Sequence, residues 1–141
     1  QFYRAFQRAL KPGGVISLHI QSPIHRGETL ARIVASLRTA FAHVAPYLQY
    51  VPLYGTLWAM AMASDSADPL ALPAAEVDAR LARHGLTDLQ LYSGATHHGI
   101  LSLPPFVQAL LAAPAQPVDD GDSLDEPSLA QAAGALRLVA G

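Results

Sequence analysis

No stretch limits the possible folds of this chain more than Tyr50-Val51-Pro52-Leu53-Tyr54-Gly55-Thr56-Leu57-Trp58. An extended run enters it from Tyr47 to Val51, and an almost unbroken apolar run, Leu57 to Ala63, leaves it. Both flanks read as strands. The Pro–Gly corner between them is too short for a crossover helix, so the two must run antiparallel. The departing strand is apolar on both faces, with Trp58, Met60 and Met62 alternating against Leu57, Ala59 and Ala61, the pattern of a covered central strand. A turn loaded with aromatics between two strands is a place where an α/β protein can hold a small molecule.

Upstream, Phe2, Phe6 and Leu10 recur at helical spacing until Lys11-Pro12-Gly13-Gly14 stops the pattern. The pattern already holds at Gln1, which reads as the continuation of a longer chain. Val15 to Gln21 is a strand, with Ile16, Leu18 and Ile20 on one face and Ser17, His19 and Gln21 on the other. From Gly27 to Val44 the apolar positions Leu30, Ile33, Val34, Leu37, Phe41 and Val44 mark one face of a helix of about four turns. Burying each of those side chains contributes about 1.5–3 kcal/mol, so the helix must lie on something. Strand, helix and strand form a βαβ unit, whose right-handed crossover leaves the two strands parallel. The third strand starts from the edge at which both of them end. His19, Gln21, Tyr54 and Trp58 are thereby expected at one crevice, at the carboxyl ends of the strands, where open α/β sheets bind ligands.

Downstream of the loop Asp65 to Pro69, Ala74 to His84 reads as a short helix with Val77 and Leu81 inward and Gly85 as its stop. Leu89 to Tyr92 is a short strand by composition, and Ser93 to Gly99 a loop carrying His97 and His98. Leu103-Pro104-Pro105 opens a last helix, Phe106 to Leu111. From Pro114 onward the composition is that of a disordered tail, with a weak helix over Ser128 to Val139. Asp119, Asp120, Asp122, Asp125 and Glu126 concentrate acid there, and residues 1 to 113 carry a balance of +2 within a whole-chain charge of −2. The chain is 51% hydrophobic and only 14% charged, so a 141-residue domain has much surface to bury. No basic stripe supports nucleic-acid binding, no cysteine supports a disulfide or thiolate metal site, and no apolar run has membrane-spanning length.

The crevice is poor in catalytic groups. Before Asp65 the only carboxylate is Glu28, at the start of the helix, while Asp65 and Asp68 follow the third strand and lie at the opposite edge from the corner. No paired carboxylates, phosphate-cradling glycine loop or nucleophile elbow is present. His19, His25 and His43 show no i,i+4 pairing, and the neighbours His97 and His98 point apart in extended chain, so no metal site is expected. On composition alone, Tyr54 and Trp58 are ordinary core aromatics, His19 and Gln21 polar residues on a strand face, and His97 a solvated loop histidine. Their convergence, more than any one of them, points to binding.

Phe2-Tyr3 to Leu10-Lys11-Pro12-Gly13-Gly14, Val51-Pro52-Leu53-Tyr54, and Tyr92 through His97 to Leu103-Pro104-Pro105-Phe106 together resemble the carboxyl-terminal half of spermidine synthases, the polyamine aminopropyltransferase family. The similarity covers residues 1 to 112, with 113 to 141 as an acidic tail that has no counterpart. It departs from the family pattern where Leu53 replaces Thr, Ser93-Gly94 replaces Asn-Pro and Leu101 replaces Phe. The resemblance implies an α/β fold, the closing half of a Rossmann-like doubly wound sheet of the S-adenosylmethionine-dependent methyltransferase type. It implies aminopropyl transfer from decarboxylated S-adenosylmethionine, a co-substrate rather than a tightly bound cofactor, to a diamine such as putrescine. By position, Tyr54 and Trp58 would line the diamine pocket, His19 stands where the family usually has Gln, Gln21 follows two residues later on the same face, and His97 has a structural role.

The same resemblance places the catalytic aspartate, the glycine-rich cofactor loop and the acidic ribose contact upstream of these residues. Exposing the lone pair of an ammonium with a lysine-like pKa costs about 4.6 kcal/mol at pH 7 unless a base helps. A chain lacking that base is expected to be inert alone. A cytoplasmic homo-oligomer that binds neither nucleic acid nor membrane is expected, with the first strand's open edge favouring self-association. Two alternatives stand beside this reading: another methyltransferase-fold enzyme using S-adenosylmethionine, and a non-catalytic interaction module of that fold.

Overall fold

The computed structural model describes residues 2–118. The acidic run from Asp119 and the expected helix over Ser128 to Val139 lie outside the described residues. In chain order the elements are α1 (Phe2–Ala9), β1 (Ile16–Gln21), α2 (Gly27–Arg38), β2 (His43–Val51), a 3-10 turn (Pro52–Tyr54), β3 (Thr56–Ser64), a second 3-10 turn (Pro69–Ala71), α3 (Ala74–Arg83), α4 (Gly94–Leu101) and α5 (Pro105–Ala112).

The sheet order is β1-β3-β2, with β3 antiparallel to both neighbours. β1 and β2 are therefore parallel, as the crossover requires, but they do not pair with each other. Gly55 closes the corner in the left-handed region at φ 60°, and its N–H donates to the Val51 and Pro52 carbonyls. This reversal feeds β3 straight back between its two predecessors. β3 is central for the reason its sequence suggests: alanines at 59, 61 and 63 form one face, each at most 1% exposed. These small side chains let α2 approach the sheet closely, and Leu30, Val34 and Leu37 of α2 are completely buried with Ile20 of β1. α5 adds Val107 to this core, and its Leu110 packs over Gly27 at the start of α2.

α2 is shorter than its periodicity suggests. It stops at Arg38, where the Thr39 hydroxyl donates to the Ser36 carbonyl and the Ser36 hydroxyl to the Arg32 carbonyl. Such side-chain to backbone bonds compete with helix continuation. Phe41 still reaches the core, but from a turn, and Val44 does so from β2, opposite Ala63. A turn and a strand thus imitate two further helical positions. β2 starts at His43 and carries Pro46, which an edge strand tolerates because its missing N–H need not pair.

Two expectations downstream fail. Leu89 to Tyr92 is irregular chain and not a strand, and the expected loop Ser93 to Gly99 lies largely within α4. Ser93 begins that helix with a reciprocal capping box, accepting from the Thr96 N–H while the Thr96 hydroxyl accepts from the Ser93 N–H. A Cβ on Gly94 would collide with the Ala74 backbone, so glycine is what lets α4 start against α3. The chain past α5 also continues in contact: residues 114 to 118 run along α2, where the Val118 N–H donates to the Ser36 hydroxyl at 2.7 Å and Arg32 donates to the Gln116 carbonyl.

Candidate functional site

The antiparallel register aligns side chains in rows across the sheet. His19 of β1, Met60 of β3 and Tyr47 of β2 share one row, and Ser17, Met62 and Ala45 share the next. On this face, opposite the alanines, Trp58 lies one pleat nearer the corner than Met60. Its ring centroid is 4.5 Å from that of Tyr54 and 6.2 Å from that of His19, both in tilted contact. The sequence-expected residues Tyr54, Trp58 and His19 thus form one aromatic cluster where β1 and β2 end. Tyr54 is 47% exposed and His19 is exposed, whereas Trp58 is half-buried between them. The Trp58 indole N–H is itself buried and has no acceptor among the described residues.

Gln21 departs from expectation. A bulge between His19 and Gln21 shifts the register, so Gln21 stands opposite Ala59 instead of continuing His19's row. Its φ of 95° is the one positive value among the described non-glycine residues. The alternation of β1 is broken there, and Gln21 does not lie on the same face two residues along. Strict period-2 reading cannot see a bulge, because the extra residue leaves the side-chain pattern up to His19 intact. The sequence reading also missed Tyr47. Its hydroxyl is 3.2 Å from Ser17 Oγ, and it closes the cluster on the β2 side. Only the strand register locates it there.

Four of the described carboxylates are engaged elsewhere. Asp65 accepts from Gln7 and from the Ala42 N–H, tying α1 to the α2–β2 turn. Asp68 caps the second 3-10 turn and lies 3.7 Å from His43. Both sit beyond Ser64, at the far end of β3 from the corner. Asp78 accepts from the Gly94 N–H at the start of α4, and Glu76 pairs with Arg80 and Arg83, whose hydrogen bonds hold its carboxyl below its usual range. The site is a wall of rings and one imidazole with no carboxylate bonded to it among the described residues. It can hold a cation or an alkyl chain, with no carboxylate base bonded to it among the described residues.

His97 is far from solvated. It is 3% exposed, its Nε2–H donates to the Pro69 carbonyl at 2.8 Å, and its Nδ1 accepts from the Tyr92 hydroxyl at 2.7 Å. A carbonyl can only accept, which fixes the proton on Nε2 and leaves Nδ1 as the acceptor. This clasp joins α4, the irregular 86–93 segment and the second 3-10 turn. Burial, then the nearby Tyr47, raises the Tyr92 phenol above its ordinary pKa.

Two parallel strands joined by a helix, an antiparallel strand wedged between them and an aromatic cluster at their carboxyl ends define the closing part of a Rossmann-like, methyltransferase-type transferase fold. The spermine/spermidine synthase domain matches residues 1–71, and the chain belongs to that family. It is 68% identical over 139 residues to a polyamine aminopropyltransferase of Nitrosomonas europaea, covering 98% of this chain and 43% of that protein. The crystal structure of spermidine synthase from Thermotoga maritima superposes with a TM-score of 0.67 at 26% identity, over 78% of this chain and 38% of that one. A spermidine synthase in complex with the transition-state analogue AdoDATO matches equally, with TM-score 0.67, 26% identity, and 78% and 36% coverage. The chain thus spans less than half the length of each of these proteins.

Proposed function

We propose that this chain supplies one wall of the amine-binding pocket of a polyamine aminopropyltransferase, with Tyr54, Trp58 and His19 contacting a diamine such as putrescine. Gln21, turned out of His19's row by the bulge, is left out of this wall. The reaction forms a C–N bond between the amine and the propyl carbon of decarboxylated S-adenosylmethionine as the C–S bond breaks. Methylthioadenosine leaves, and the nitrogen's proton passes to a base. That base and the adenosyl site belong to residues outside this chain, so the chain alone is inert.

The observation that carries this reading is the Tyr54–Trp58–His19 cluster at the carboxyl ends of β1 and β2, in a chain of this family. Ring faces attract an ammonium by about 0.5–2 kcal/mol each, and their edges shelter a methylene chain. The complete protein assembles as a cytoplasmic homo-oligomer in this reading, which the exposed Phe2 and Phe6 of α1 support. No described helix is long and apolar enough to cross a membrane.

The test assays the protein encoded by the complete reading frame with decarboxylated S-adenosylmethionine and putrescine, cadaverine or spermidine. Aminopropylated product is expected, with putrescine preferred. Methyl transfer from S-adenosylmethionine, or binding without turnover, would overturn the proposal. So would turnover by the isolated 141 residues.

A further inference from the structure

We infer that Gln49 is a specificity-determining residue of the amine-binding face, its side-chain carbonyl taking the ammonium at the end of the diamine away from His19. This rests on the reading of the cluster as the amine pocket. Gln49 of β2 stands directly opposite Trp58 of β3. Opposed residues of an antiparallel pair put their side chains on one face, with Cβ atoms about 4.5–5.5 Å apart. Gln49 is also exposed, so its amide is open to a ligand lying against the indole. Its neighbour on this face of β2, Tyr47, leans the other way: its hydroxyl lies 3.2 Å from Ser17 Oγ, one row further from the corner. The polar group that β2 sets beside Trp58 is therefore the Gln49 amide.

The spacing matches a molecule with two amines. Trp58 is flanked by His19, whose ring centroid is 6.2 Å from its own, and on the other neighbouring strand by Gln49. His19 and Gln49 lie two strands apart and one row apart along the sheet, a diagonal of roughly 12 Å from the strand spacing and rise. An extended four-carbon diamine holds its nitrogens roughly 6 Å apart. A hydrogen bond adds about 3 Å at each end. Such a chain crosses the indole with one ammonium toward each of the two side chains. The Gln49 carbonyl offers two lone pairs to N–H donors, and a bond from a charged donor is stronger than one between neutral groups. A monoamine of the same length makes one of the two end contacts and forfeits the other.

The experiment compares the complete protein with its Gln49→Leu and Gln49→Glu variants at saturating adenosyl co-substrate. KM is measured for putrescine, and an inhibition constant for n-butylamine, which has the same carbon chain and one amine. The ratio of the butylamine constant to the putrescine KM expresses the preference for a second ammonium. Gln49→Leu is expected to lower that ratio about tenfold, through KM for putrescine. Gln49→Glu keeps an acceptor and is expected to hold the ratio at or above the parent's. A merely structural defect would weaken both amines alike and leave the ratio unchanged. A Gln49→Leu protein with the parent's ratio, or a Gln49→Glu protein that loses it, overturns the inference. If no aminopropyl product forms, the transferase reading fails. Titration calorimetry of putrescine and butylamine against the same three proteins then decides this inference by the same ratio, and putrescine that does not bind overturns it.

Discussion

Replacing His97 with alanine tests whether the α3–α4 layer is held by one buried imidazole. The ring is 3% exposed and bridges Tyr92 Oη at 2.7 Å and the Pro69 carbonyl at 2.8 Å. Pro69 is itself buried, so its carbonyl loses its donor where water does not readily replace it. An unsatisfied buried acceptor costs about 1–3 kcal/mol. The Tyr92 hydroxyl, at 37% residue exposure, turns to solvent and costs less. The lost ring adds a cavity term, bringing the expected destabilisation to about 3 kcal/mol. Tyr92→Phe removes only one of the two bonds and should cost about 1–2 kcal/mol. Urea unfolding followed by tryptophan fluorescence and far-UV circular dichroism gives both values. Hydrogen exchange should localise the loosening to α4 and the 86–93 segment before the sheet. A His97→Ala protein within 0.5 kcal/mol of the parent would refute the argument, as would NMR evidence that the proton sits on Nδ1.

Three further outcomes follow from the same packing. Trp58→Ala in the complete protein should raise KM for the diamine about tenfold, in line with one cation–π contact of roughly 0.5–2 kcal/mol, and leave KM for the adenosyl co-substrate unchanged; steady-state kinetics with each substrate varied decide it. Gly94→Ala should destabilise by about 2 kcal/mol or more, because its methyl meets the Ala74 backbone, which cannot swing aside like a flexible side chain; thermal melting measures it. Burial raises the pKa of Tyr3 and Tyr92 in the folded protein, so the unfolded chain releases their protons first as pH rises. Stability should therefore hold below about pH 10 and decline as pH climbs through the folded values, and Tyr92→Phe should soften that decline.

The elements whose evidence is local were legible in the sequence. The strand Val15 to Gln21 needed only alternation, and the corner needed only its proline, glycine and brevity. β3 announced itself as a covered strand because both of its faces are apolar. The strand order expected from the pattern placed Tyr54, Trp58 and His19 near one another, since the two parallel strands must end on the same edge and the third begins there. Residue order and side-chain chemistry determined these points without reference to any distant contact.

Tertiary structure decided what depends on register and on competition between backbone partners. The end of α2 is set by Ser36 and Thr39 turning their hydroxyls onto its carbonyls, while Phe41 and Val44 keep a helical rhythm from non-helical chain. The bulge before Gln21 moves that side chain out of His19's row, and the pairing of β2 with β3 brings in Tyr47, neither of which has a one-dimensional signature. His97 is buried only because α4 folds onto the second 3-10 turn, which supplies its acceptor from 28 residues away. A sequence fixes the local menu of conformations, but which side chain meets which across the sheet is settled only when the strands choose their neighbours.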